Sequence, residues 1–296
     1  HAGGGAEGQA ALMKLARRAL LATPFLSISA ADAAPTSKFF QSSDGVRLHY
    51  TQHGAGPILV FVPGWCMPAR IFAPQIAYFQ RHYRVIAFDP RGQGQSAIPA
   101  QGYEPERRGR DIADLLTQLP PDRVVLIGWS LGVLDALSWL AMQGDARLAG
   151  LVLIDNSVGE ADPPPPRASN FFANLRKERD KTVRGFVNAM YRTPQDAAYL
   201  DGIAREAQRM PVEASIKLLS YPRPREFWRQ SLYATRRPVF YAVTPRLRAQ
   251  AEAVAARHAA PMTSIYEDAG HALFVDRADR FNDELLQFIT KKALWS

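Results

Sequence analysis

Residues 124–137 read VVLIGWSLGVLDAL. The four aliphatic residues at 124–127 form a run short enough for a buried strand, and from Leu131 to Gln143 the pattern is helical. Between them stands Gly128-Trp129-Ser130-Leu131-Gly132, a G-x-S-x-G. Glycines two residues either side of the serine let strand and helix approach closely. The Ser130 hydroxyl then projects at a helix N-terminus, whose dipole favours a developing negative charge. The five-residue string alone is a common accident; the strand before it and the helix after it make it informative.

The same alternation runs outward in both directions. VRLHYTQ (46–52) reads as a half-buried strand, and ILVFV (58–62), RVIAF (84–88), LVLI (151–154) and VFYAV (239–243) as fully buried parallel ones. TSIYE (263–267) completes the series. Helical patterns fall at Arg70 to Arg81, Pro105 to Leu119, Arg246 to His258 and Arg277 to Lys292. Strands alternating with helices predict a doubly wound, mostly parallel α/β sheet. Residues 157–236 break the rhythm: four prolines at 163–166 lead into aromatic-rich helical stretches with no buried-strand run, and YPRPR (221–225) punctuates the exit. The expected organisation is a core of residues 34–156 and 237–296, with residues 157–236 a helical cap inserted after the sixth strand.

Taken with three further stretches, this chain resembles the α/β-hydrolase superfamily from Lys38 onward, in particular lid-bearing serine esterases and cofactor-free haloperoxidase-like hydrolases. Phe61-Val62-Pro63-Gly64-Trp65 stands where that family has its oxyanion loop, Asp89-Pro90-Arg91-Gly92-Gln93-Gly94-Gln95-Ser96 matches its D-x-R-G-x-G-x-S turn, and Ala269-Gly270-His271 matches the segment carrying its histidine. Pro63 replaces the usual His, a modest departure because the hole is built from backbone N–H groups. The resemblance implies Ser130 as nucleophile, His271 as its base, and the N–H groups of Trp65 and Leu131 as the oxyanion hole. Ser130 needs such a base, because a serine hydroxyl is a poor nucleophile until an imidazole accepts its proton. His49, His53, His82 and His258 fall in strand, loop or helix positions that suit solvated or core roles.

The third group departs from the family pattern. Most of the superfamily carries its acid after the seventh strand, yet RPVFYAVTPRLRAQA (237–251) has no carboxylate there. Some members, certain haloalkane dehalogenases among them, carry the acid after the sixth strand, where LVLIDN offers Asp155. Glu160, Asp162 and a dyad without a carboxylate stand as alternatives. Glu267 and Asp268 lie too near the histidine, and Asp89 is expected to fix its own turn.

Composition narrows the remaining classes. One cysteine among 296 residues, Cys66, excludes an internal disulfide or a Cys-based zinc cluster. No HExxH occurs, so no metal or other cofactor is expected. Residues 13–33 carry a basic start (Lys14, Arg17, Arg18), an apolar stretch too short to span a bilayer, and Ala31-Asp32-Ala33 as a cleavage site. They read as a signal peptide preceded by a tag remnant. The expectation is a periplasmic or secreted protein with no stable membrane anchor after cleavage, or a cytoplasmic one if that segment is not a signal. Of the +8 formal charge, much sits in residues 157–236, with 14 basic and 9 acidic residues. No groove-entering motif or stacking aromatics accompany them, so no nucleic acid is expected.

The expected pocket draws on Trp129, Phe171, Phe172, Phe186, Met190, Leu218 and Trp228. Its apolar character points to a small-to-medium apolar ester or lactone, hydrolysed through an acyl-enzyme. Perhydrolysis and amide hydrolysis use the same machinery and stay open. From other classes, a non-hydrolytic ligand receptor and a cofactor-independent oxygenase remain alternatives. Halide displacement is disfavoured because it needs Asp where Ser130 stands. The oligomeric state is not legible.

Overall fold

In the computed structural model the described residues are 35–161, 170–220, 222–291 and 294–295. The expected signal peptide, the prolines 163–166 and Asp162 lie outside them.

The fully apolar runs become interior strands. β1 (Thr36–Gln41), β2 (Arg47–His53), β3 (Ile58–Val62), β4 (Arg84–Asp89), β5 (Val124–Trp129), β6 (Leu148–Ile154), β7 (Val239–Val243) and β8 (Pro261–Ile265) form one sheet. Its order is β1-β2-β4-β3-β5-β6-β7-β8, and β1 and β2 are its antiparallel members. Every residue of β3, β5, β6 and β7 is buried, as strands covered on both faces must be. The helices are α1 (Ala73–Phe79), α2 (Pro105–Thr117), α3 (Leu131–Gln143), α4 (Phe171–Lys177), α5 (Arg179–Ala189), α6 (Ala197–Ala207), α7 (Val212–Leu218), α8 (Arg225–Tyr233), α9 (Arg248–Arg257), α10 (Leu273–Asp276) and α11 (Ala278–Lys291). This is the doubly wound α/β fold, with α4 to α8 inserted between β6 and β7.

The strand order reverses where β3 meets β5, so the loops after these two strands diverge from adjacent carboxyl ends. Such a switch point is where open α/β sheets leave a crevice. The loop after β3 carries Gly64 and Trp65; the turn after β5 carries Ser130.

Several local readings differ from the structure. β1 is an edge strand that lacks apolar alternation, and it is held by pairing with β2 rather than by burial. β8 begins at Pro261, two residues before TSIYE, and is half-buried at the opposite edge. The 170–191 stretch breaks at Glu178, whose backbone (φ −137°, ψ 54°) leaves the helical region between α4 and α5. Residues 222–224 introduce α8 instead of ending the insertion, with Pro224 at the N-cap position of the new helix.

α3 is buried from Leu131 to Leu140 and packs against the sheet, α2 and α8. Its one carboxylate, Asp135, meets Arg108 of α2 at 2.6 Å, with both side chains almost wholly buried. Nearby, the fully buried Arg91 donates to Asp111 at 2.5 and 2.6 Å and to Asp44 at 3.1 Å. The ion pairs fasten the loop after β4 to α2. Partial burial opposes the charge on Asp44, but hydrogen bonds from Arg91 and Ser42 and the fields of Arg91 and Arg107 outweigh it, bringing its pKa to about 2. A depressed carboxylate contributes stability above its unfolded pKa, and that contribution is lost as pH falls through the folded value. At neutral pH Asp44→Asn is therefore expected to cost about 1–2 kcal/mol after allowance for solvent screening of a partly exposed pair. The gap between the two urea-unfolding free energies should close as pH falls from about 4 to about 2.

Candidate active site

The turn after β5 is strained. Ser130 has φ 53° and ψ −119°, a conformation that L-residues rarely adopt. Only four described non-glycine residues have positive φ, and three of them, Cys66, Ser130 and Asp155, stand at this edge of the sheet. The turn closes because its neighbours are glycines. A Cβ on Gly128 would collide with the Gly132 carbonyl, and one on Gly132 with the Val62 carbonyl of β3. The Ser130 N–H donates to Ile154 at 2.9 Å, and its carbonyl accepts from Val133 N–H (2.9 Å) and Asn156 Nδ2 (2.8 Å).

Three side chains meet here. His271 Nε2 lies 2.8 Å from Ser130 Oγ, and His271 Nδ1 lies 2.7 Å from Asp155 Oδ2. With Asp155 accepting from Nδ1–H, the free lone pair of the imidazole faces the serine hydroxyl. Asp155 is 8% exposed and its N–H donates to Ala242 of β7. Its second oxygen accepts from both the N–H and the Oγ1–H of Thr244, each at 2.8 Å. Thr244 stands in the loop where the common pattern has its acid, so that loop supplies the donors that hold the relocated carboxylate. Asn156 and Thr244 were not singled out in the sequence; Asn156 adjoins the candidate acid, and Thr244 was visible only as the residue replacing one.

The loop after β3 faces the serine. A Cβ on Gly64 would lie 2.9 Å from Ser130 Cβ. Gln93, buried in the loop after β4, staples the segment: its Nε2 donates to Gly64 O and Met67 O, both at 3.0 Å, and its Oε1 accepts from Cys66 N–H at 3.1 Å. Among the described residues the N–H groups of Trp65 and Leu131 have no acceptor. Burial pushes the Cys66 thiol well above its usual range, despite the opposing field of Arg179, so it is not a reactive thiolate.

The other candidate acids go elsewhere. Glu160 pairs with Arg257 at 2.9 Å, Asp268 with Arg277 at 2.6 Å, and Glu267 with Arg248. Asp89 accepts from Ala69 N–H (2.7 Å), Gln95 N–H (2.9 Å) and His49 Nδ1 (2.7 Å), and His49 Nε2 in turn meets Ser37 Oγ at 2.8 Å. That second Ser–His–Asp chain differs in access: His49 is 1% exposed, and Ser37 sits on the extended edge strand. Among the described residues no group of three or more His, Cys, Asp or Glu could hold a metal ion.

Phe171 and Phe186 pack edge-on against Trp65, with ring centroids 5.4 and 5.0 Å away. Trp129 is different from the expectation that it lines a pocket. It is 1% exposed, donates Nε1–H to the His271 carbonyl at 2.8 Å and packs against Phe274, bracing the histidine from behind. Phe172 faces solvent at 40% exposure, while Met190, Leu218 and Trp228 are buried.

A model of the alpha/beta hydrolase family matches residues 59–284. The chain is similar to a pimeloyl-[acyl-carrier protein] methyl ester esterase of Legionella pneumophila (strain Paris), 33% identical over 149 residues, which are 48% of this chain and 59% of that protein. It is also similar to a non-heme haloperoxidase of Rhodococcus erythropolis, 34% identical over 117 residues, 39% of this chain and 43% of that one. The chain thus spans less than two thirds of the length of these relatives. Among solved structures, an esterase from Exiguobacterium antarcticum superposes with a TM-score of 0.76 at 20% identity, covering 86% of this chain and all of that one. At that identity the likeness concerns the fold.

Gly132→Ala tests the backbone constraint. Its Cβ would meet the Val62 and Pro63 carbonyls, backbone atoms at the end of β3 that cannot yield as a side-chain tip would. The expected cost is about 2 kcal/mol or more in urea unfolding.

Proposed function

We propose, from the premise that the chain belongs to the alpha/beta hydrolase family, that it is a serine hydrolase acting on small-to-medium apolar carboxylic esters or lactones. The observation that carries this reading is the hydrogen-bonded chain from Ser130 through His271 to Asp155, at 2.8 and 2.7 Å, beside two unengaged backbone N–H groups. Ser130 Oγ attacks the carbonyl carbon while His271 Nε2 takes its proton. The oxyanion accepts from Trp65 N–H and Leu131 N–H, and one such donor is worth about 3 kcal/mol of transition-state stabilisation. The alcohol leaves with the proton from His271. Water, deprotonated by the same Nε2, then attacks the acyl-serine; the acid departs and Ser130 recovers its hydrogen. Asp155 holds the Nδ1 tautomer and stabilises the imidazolium, a task set by geometry and not by chain order.

The aromatic group of Trp65, Phe171 and Phe186 supports an apolar acyl or alcohol portion, with α4 to α8 acting as a cap that excludes water. Hydrogen peroxide is the second acceptor to test against water, a reading favoured by the similarity to a non-heme haloperoxidase.

A p-nitrophenyl ester of a short acid should give a burst of p-nitrophenol that Ser130→Ala abolishes. Asp155→Asn should lower turnover by ~10⁴. The absence of a burst in the unaltered protein would reject the acyl-enzyme. A fluorophosphonate should label Ser130 alone, by peptide mapping; modification of Ser37 in the Ser130→Ala protein would mean that strain and access do not decide reactivity here.

A further inference from the structure

We propose that Asp276 is the positioning residue of this site: it holds the His271 loop in place by fastening it to the α5–α6 junction of the helical insertion. The inference rests on the hydrolase reading for its kinetic consequences, and on the hydrogen bonds alone for its geometry.

Asp276 closes α10 and is 7% exposed. Its carboxylate accepts four hydrogen bonds. Oδ2 takes Gly270 N–H at 2.7 Å and Arg192 N–H at 2.8 Å; Oδ1 takes Thr193 N–H at 3.0 Å and Thr193 Oγ1–H at 2.6 Å. Gly270 immediately precedes His271. The residue after it, Ala272, donates its N–H to the Met190 carbonyl at 2.9 Å. Both flanks of the histidine are thus attached to residues 190–193, one through Asp276 and one directly. The contact is close enough that a Cβ on Gly270 would collide with the Met190 carbonyl. Trp129 Nε1–H fixes the His271 carbonyl itself. The Gly270 N–H, the His271 carbonyl and the Ala272 N–H thus each have a defined partner, and the insertion supplies that of Ala272.

A buried carboxylate with four donors is a strong anchor, since bonds to a charged acceptor are about twice as strong as neutral ones. The four bonds hold the acid ionised against partial burial, which alone would raise its pKa. The field of this carboxylate reaches Tyr191, whose hydroxyl meets that of Tyr199 at 3.1 Å and whose pKa is raised first by burial. Arg277 Nη1 donates to the Asp276 backbone carbonyl at 3.2 Å. Asparagine cannot reproduce the set, because its NH2 arm must face N–H donors whichever way the amide is turned: either Gly270 and Arg192, or Thr193. Each loss loosens the link between the His271 loop and residues 192–193, and with it the register of the imidazole between Ser130 and Asp155.

The test compares Asp276→Asn with the unaltered protein in ester-hydrolysis kinetics and in the proton NMR resonance of His271 Nδ1–H in the resting enzyme. Asp276→Asn should lower kcat by about 10- to 100-fold with KM within about twofold, as expected when a ~1 Å misplacement reaches a reacting group. The proton NMR resonance of His271 Nδ1–H, which bonds to Asp155, should shift and broaden because that contact loosens. A loss of Tm with unchanged kcat and an unchanged Nδ1–H resonance would make Asp276 a stability residue only and overturn the proposal. If Asp276→Asn does not fold, Thr193→Val decides, since it deletes one of the four bonds: kcat reduced about threefold at constant KM supports the proposal, and unchanged kcat overturns it. If the unaltered protein turns over no ester, the hydrolase reading fails, and the His271 Nδ1–H resonance of whichever variant folds still decides the positional claim.

Discussion

The close approach of α3 to the end of β5 is the constraint on which the remaining structure depends. Ser130 can take φ 53° only if the chain on either side has no Cβ to obstruct it, hence Gly128 and Gly132. Such a conformation costs on the order of 1–3 kcal/mol, and surrounding bonds must over-determine it. They do so from both neighbouring strands: Ile154 of β6 accepts the Ser130 N–H, and Gly132 rests on the carbonyls at the end of β3. The strain aims a hydroxyl out of the sheet edge at a helix N-terminus, so local backbone energy is converted into side-chain placement. Cys66 and Asp155, also at positive φ, repeat the device on the flanking strands.

The contact of Asp155 with His271 is a consequence of sheet geometry. β6 and β7 are hydrogen-bonded neighbours, so their carboxyl ends lie about 5 Å apart. A carboxylate on either end can reach an imidazole arriving from the loop after β8. What matters is that the acid be fixed, and here the unused end does the fixing: Thr244 N–H and Oγ1–H both engage Asp155. The loop without a carboxylate is therefore still part of the arrangement, as donor instead of acceptor.

The sheet interior was legible because fully buried parallel strands must be apolar throughout, and ILVFV and VFYAV are strands with the bounds their composition suggests. That Ser130, His271 and Asp155 come together was legible because a G-x-S-x-G turn, a glycine before a histidine and an acid at a strand end each leave a local mark. β1 left none, since pairing and not burial holds it. The pocket residues were the least legible: an aromatic on a helix reads the same whether it meets substrate, as Phe186 beside Trp65 could, or braces a loop as Trp129 does. Asp276 and Gln93 act by bonding to backbone far away in sequence, and no spacing rule marks such partners.

The Ser37–His49–Asp89 chain shows what hydrogen-bond geometry alone is worth. Its distances, 2.8 and 2.7 Å, equal those at Ser130. Yet Ser37 lies on extended backbone, and the His49 imidazole is 1% exposed, against 29% for the His271 side chain. Asp89 is occupied in holding the N–H groups of Ala69 and Gln95. A hydroxyl on an exposed edge strand lines up with the buried His49 and Asp89 because these must be satisfied, and each left unpaired would cost about 1–3 kcal/mol. At Ser130 the same alignment is joined by features that pairing alone does not require: a serine on strained backbone, a partly exposed imidazole and, among the described residues, two backbone donors without acceptors. Those features, and not the distances, distinguish the two chains.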